Sequence, residues 1–76
     1  MVAKQAGTRN RYKENVHKAL DYIHENLGGT LDLKDVASAS HFSPYHFHRI
    51  FHALVGETVN EYIRRKRLEL AVTLLV

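Results

Sequence analysis

The sequence predicts an all-α fold, a small bundle of about four helices. Three observations predict it. Apolar residues recur at steps of three and four along most of the chain, the period of amphipathic helices. Helix punctuation stands at intervals: Gly28-Gly29, Ser43-Pro44 and Gly56 followed by Thr58. The 76 residues include no cysteine, which excludes a disulfide scaffold or a thiolate zinc site. A chain this short buries only about 60 to 65% of its unfolded surface, so stability must come from packed helices around a thin core.

In the first helix, expected over Arg11 to Leu27, the residues Tyr12, Val16, Ala19, Leu20, Ile23 and Leu27 form one stripe. Gly28 or Gly29 is expected to close it in the left-handed conformation. Residues 1–9 read as a flexible basic arm. A second, short helix follows Asp32, which with Asp35 resembles a capping box in which Asp replaces the usual Glu. Leu33, Val36 and Ala37 point one way. Ser43 then serves as N-cap and Pro44 as first residue of a third helix, where a missing N–H costs nothing. Phe47, Ile50, Phe51 and Leu54 fall at i, i+3, i+4, i+7 and predict its core stripe. Tyr45, His48, Arg49 and His52 have the same spacing on the opposite side, with His46 at the edge and His41 in the preceding turn.

Gly56 closes the third helix, and Thr58 caps a fourth that runs from about Val59 to the end. There Val59, Tyr62, Ile63, Leu70 and Leu74 share a face, while Leu68, Val72 and Leu75 gather nearly opposite. A helix apolar on two sides must be buried on two sides, and the first three helices are too small to surround it. Either a second body or a second copy is expected against Leu68, Val72 and Leu75.

Eleven Lys and Arg against eight Asp and Glu leave a mild positive excess. Its distribution matters more: four cations and no acid between Met1 and Lys13, an "RRKR" cluster at Arg64–Arg67, and no acid between Asp35 and Glu57. A polyanionic partner suits this pattern. No apolar run approaches the 18 or so residues that span a bilayer, which predicts no membrane partner and a cytoplasmic location.

His48 and His52 at i, i+4 could reach one zinc ion, but zinc needs at least three protein ligands, and no carboxylate lies nearby in sequence; no metal site or other cofactor is expected. A hydrolytic constellation needs a nucleophile, a base, an orienting group and a pocket, and Ser43 is better used at its helix start, so no enzyme activity is expected. A helix, a turn of three to five residues and a helix instead describe a helix-turn-helix of the homeodomain-like kind, with the third helix in the major groove. Arg49 can bond guanine O6 and N7, and His48 and Tyr45 can bond base edges. Ser43, His46 and His52 suit phosphates.

The pattern "LKDVASASHFSPYHFHRIFHALVGETVNEYIRRKRLELAVTLL" resembles the AraC-type transcriptional regulators, with Ala37, Phe42-Ser43, Phe47, Arg49, Phe51, Gly56, Tyr62, Arg67, Ala71 and Leu74-Leu75 in register. The resemblance implies a bacterial regulator binding double-stranded promoter DNA, base-reading by Tyr45, His48 and Arg49, and RNA polymerase as a further candidate partner. It also implies two helix-turn-helix subdomains joined by a long helix. Residues 10–57 would be the first subdomain, and 58–76 the linker helix leading to a second subdomain that is not in this chain. Met1 near the first helix suggests that the module opens its parent protein. One departure is His41, where the family often has glycine; histidine should keep the turn in the left-handed region with some strain. Two other readings compete: a protein-interaction module docking through the second face of the fourth helix, and a recombinase helix-turn-helix.

Overall fold

The computed structural model describes the backbone of residues 2–75 and the side chains of residues 11–75. It contains four helices, α1 (Val2–Glu25), α2 (Leu33–Ala39), α3 (Pro44–Val55) and α4 (Val59–Leu75). Helix α1 starts nine residues before the predicted Arg11, so residues 2–9 continue the helix where an arm was expected. Ala3, Lys4, Gln5 and Ala6 are all strong helix formers, and only Val2, Gly7 and Thr8 around them are weaker. The arm's first residue, Met1, and the expected helix end at Val76 lie outside the described residues.

Neither glycine after α1 is left-handed; among the described residues only Gly56 and His41 have positive φ. Helix α1 closes by other means. The Asn26 side chain donates to the Tyr22 carbonyl at 2.8 Å, and the Arg67 guanidinium donates to the carbonyls of Leu27 (3.2 Å) and Gly29 (2.8 Å). A cation at a helix C-terminus satisfies orphan carbonyls and opposes the helix dipole, so no glycine conformation is required.

Asp32 caps α2 as expected, its carboxylate accepting from the Lys34 N–H at 2.9 Å. No reciprocal bond from the Asp35 side chain is among the described hydrogen bonds; Asp is one methylene shorter than the Glu of a capping box. The turn to α3 is organised by Ser40, which is fully buried. Its hydroxyl donates to the Ala37 carbonyl and accepts from the Phe42 N–H at 3.2 Å. His41 follows with a φ of 65°, the left-handed turn the sequence required. Ser43 then caps α3, accepting from the His46 N–H at 3.4 Å, and left-handed Gly56 ends it.

Val16, Ala19 and Ile23 of α1, Val36 and Ala37 of α2, Phe47 and Phe51 of α3, and Val59, Tyr62 and Ile63 of α4 form the core. Phe47 and Phe51 are completely buried with ring centroids 5.6 Å apart, and Tyr62 meets Phe51 edge-on at 5.6 Å. The predicted α3 stripe holds in its first two turns and fails at Leu54, which is 48% exposed. Leu54 sits with Val55 beside a surface groove that Val16 and Leu20 also line, because the facing helices do not reach over the last turn.

Only the first turns of α4 are buried. Leu70 and Leu74, expected on the same inward face as Tyr62, are 38% and 78% exposed. The reason is length: α4 outruns the three-helix core, and with the N-terminal turns of α1 it stretches the molecule to 51 × 24 × 18 Å. Leu68, Val72 and Leu75 are exposed as well. Among the described residues no helix is long and apolar enough to cross a membrane.

Phe51→Ala is expected to remove about 3 to 5 kcal/mol, most of the stability of so small a domain. Urea denaturation checks it, and a loss below about 1 kcal/mol would mean that the core does not close on this ring. His41→Gly should act oppositely in the same assay, with a gain of roughly 1 kcal/mol from relieving the left-handed residue.

Candidate nucleic-acid interface

Because Phe47 and Phe51 are drawn inward, helical geometry turns Tyr45, His48, Arg49 and His52 outward. All four are exposed, Tyr45 by 74%. The Arg49 guanidinium carbon lies 5.9 Å from the Tyr45 ring centroid, a cation–π distance that steadies the guanidinium along the tyrosine. These four side chains, with Thr58 and Val59 at the start of α4, line one shallow depression of about 300 Å³. The structure thus brings the outward face of α3 together as one surface.

Ser43 and His46 stand at its N-terminal edge. The Ser43 oxygen accepts the cap bond, which leaves its O–H proton available to a ligand. The His46 ring is exposed but backed by aromatic rings, Phe42 at 5.3 Å and Tyr12 at 6.4 Å, and Tyr12 meets Phe42 edge-on at 5.6 Å. His41 is exposed in the turn. Among the described residues no group of three or more His, Asp or Glu gathers to hold a metal ion.

The acid-free stretch from Val36 to Gly56 puts no carboxylate on α3 itself. The "RRKR" cluster, by contrast, is largely spent internally. Arg65 bridges Glu57 at 3.2 Å and Glu69 at 2.9 Å, Lys66 bridges Glu69 at 3.2 Å, and Arg67 holds the end of α1. The bond to Glu57 raises the Arg65 pKa, and the Lys66 bond lowers that of Glu69. Arg64 is exposed and makes no hydrogen bond or ion pair among the described residues.

Three features escaped the sequence reading. The first is Arg67, whose clamp joins residues about forty positions apart and leaves no local signal. The second is His24, whose Nε2 lies 2.7 Å from the Tyr62 hydroxyl, the two rings stacked at 6.0 Å; burial pushes the Tyr62 phenol above its usual pKa. The third was legible. Thr58-Val59-Asn60-Glu61 is a capping box: the Thr58 N–H donates to Glu61 Oε1 at 2.9 Å, and the Glu61 N–H to Thr58 Oγ1 at 3.1 Å. It fixes the first turn of α4 beside the depression.

The family model for bacterial regulatory helix-turn-helix proteins of the AraC family matches residues 23–64, from the last turn of α1 into α4. The uncharacterized HTH-type transcriptional regulator YbfP of Bacillus subtilis is 38% identical over 65 residues, 86% of this chain and 22% of that protein. The multiple antibiotic resistance protein MarA of Escherichia coli is 38% identical over 64 residues, 83% of this chain and 50% of that one. The bifunctional transcriptional activator/DNA repair enzyme AdaA of Bacillus subtilis is 39% identical over 56 residues, 74% of this chain and 26% of that protein. The chain therefore spans half or less of the length of these relatives. No solved structure matches it significantly.

The capping box carries a pH signature. The Thr58 backbone N–H, then its hydroxyl, and more weakly the charges of His52 and Arg64 hold the Glu61 carboxyl below its ordinary 4.5. A depressed carboxyl contributes stability that is present above the unfolded pKa and lost as pH falls through the folded one. Glu61→Ala is thus expected to lower the melting temperature at pH 7, and the gap to wild type should close as the pH is taken below 4.5. A gap independent of pH would show that the carboxylate does not hold the cap.

Proposed function

The chain belongs to the AraC family of bacterial regulatory helix-turn-helix proteins, and on that premise we propose that it is the sequence-specific DNA-binding part of a transcription regulator. The observation that carries this reading is the outward face of α3: Tyr45, His48, Arg49 and His52, all exposed, free of carboxylates and backed by two fully buried phenylalanines. An arginine beside histidine and tyrosine hydroxyl and ring nitrogen groups offers the donors and acceptors that a major groove displays in complement. In this reading Tyr45, His48 and Arg49 read base edges, and Ser43, His46 and His52 hold phosphates on either side. The protein acts as a regulator and not an enzyme, in the bacterial cytoplasm.

The projecting half of α4 supports the two-subdomain organisation. Residues 10–57 make the first subdomain, and α4 is a linker helix whose exposed Leu68, Val72 and Leu75 face a second helix-turn-helix subdomain of the parent protein. Each such side chain gains about 1.5 to 3 kcal/mol on full burial, enough in sum to fix a second body. Contact of these residues with a second copy is the competing outcome.

Arg49 provides the test. On a site enriched from random duplexes, Arg49→Ala is expected to lose about 1 to 3 kcal/mol of binding while its affinity for random DNA changes little. Fluorescence titration of both duplexes measures the difference. An equal loss on both would move Arg49 to a phosphate, and no loss on either would remove α3 from the groove.

A further inference from the structure

Lys4, Arg9, Arg11 and Lys13 put four positive charges and no negative one into the first 13 residues. Arg11 and Lys13 are exposed and make no ion pair or hydrogen bond among the described residues. These cations belong to a helix and not to a tail, since the backbone is helical from Val2. Its direction is set by contacts on both sides of Tyr12. Tyr12 meets Phe42 and His46 at the N-terminal end of α3, whereas Val16 and Leu20 share a groove with Leu54 and Val55 at the C-terminal end. Helix α1 therefore passes α3 in the same sense, and the residues before Tyr12 run on beyond the end of α3 that carries Tyr45.

At 1.5 Å per residue the stretch Val2–Arg11 extends about 15 Å past that point. A major groove is about 12 Å wide between its phosphate walls. With the start of α3 in the groove, a helix continuing that far beyond it meets the bordering backbone. We propose that the N-terminal turns of α1 are a second DNA contact, in which Arg11 and the positive charge that the sequence places before it meet phosphates beside the groove that α3 enters, and the Tyr12–Phe42–His46 cluster holds the helix at that edge. The assignment rests on the DNA-binding reading of α3. Phosphate contacts give affinity and register but no sequence preference, so this element adds to binding without adding to base recognition.

The test is a salt titration of duplex binding between about 50 and 200 mM, with wild type, Arg9→Gln/Arg11→Gln, the charge-retaining Arg9→Lys/Arg11→Lys, and Lys18→Gln as a control on the same helix. Each lost phosphate contact lowers the slope of log affinity against log salt by about 0.9, so the double Gln variant should lose about 1.8 and its affinity drop over that range should shrink about 12-fold. The effect should be equal on the enriched site and on random DNA. The Lys pair should restore the slope, and Lys18→Gln should leave it unchanged. A wild-type slope in the double Gln variant overturns the proposal while leaving α3 as the DNA reader. So does an equal per-charge loss in Lys18→Gln, which would mean diffuse attraction by net charge. No duplex binding by wild type would remove the DNA-binding reading and this contact with it.

Discussion

The burial of Phe47 and Phe51 is the constraint on which the rest of the structure depends. One turn apart on α3, both rings are completely enclosed, with Val36 and Ala37 of α2, Ile23 of α1 and Tyr62 of α4 in the same core. A chain of 76 residues has enough helix to cover one side of α3 and no more. Burying this pair therefore exposes the opposite side, and Tyr45, His48, Arg49 and His52 are presented as a by-product of packing. The last turn shows the limit of the arrangement. Where the neighbouring helices run out, Leu54 is left half exposed although it continues the apolar stripe.

The second dependency is the attachment of α4. Two links tie its first turns to the end of α1: the His24–Tyr62 pair, at 2.7 Å, and the Arg67 clamp on the carbonyls of Leu27 and Gly29. Hydrogen bonds from a charged donor are stronger than neutral ones, and the clamp lies one turn beyond the last buried residue, Ile63. The direction in which α4 leaves the core is thus fixed before its apolar turns begin. Those turns carry leucine and valine on both sides, so the direction of α4 is set by the three-helix core rather than by whatever its far half meets.

What was legible in the sequence was local. The first two turns of the α3 stripe, the Ser43 cap, the Gly56 stop and the left-handed residue at His41 each follow from a few neighbouring residues and their stereochemistry, and each is where it was expected. The misses involve partners distant in sequence or competition among local options. Gly28 and Gly29 offered a left-handed stop, but Arg67, about forty residues on, closed the helix instead. Asp32 and Asp35 offered a capping box too short by a methylene, while the box that forms, Thr58 with Glu61, was spelled in full. The start of α1 was missed because periodicity marks where a helix is buried, and residues 2–9 have no apolar stripe to show. The outward face of α3 was legible because it is the complement of a core stripe; the role of each side chain on it does not follow from spacing.

The composition of that face bears on how a groove reader of this kind would divide its tasks. A surface of three aromatic or imidazole rings and one arginine offers many hydrogen-bonding groups around a single guanidinium, which in the proposed reading suits discrimination more than attraction. Electrostatic attraction to DNA scales with phosphates neutralised, and one guanidinium neutralises few. The Arg65–Lys66–Arg67 run cannot make up the difference, since two of its cations are paired with Glu57 and Glu69 and the third holds α1. Among the described residues the unpaired cations outside α3 are Arg11, Lys13 and Lys18 on α1, Lys34 on α2 and Arg64 on α4. In the proposed reading, recognition by α3 and phosphate attraction by α1 fall on different helices, and the aromatic contact between Tyr12 and the turn before α3 sets the distance between those two helices.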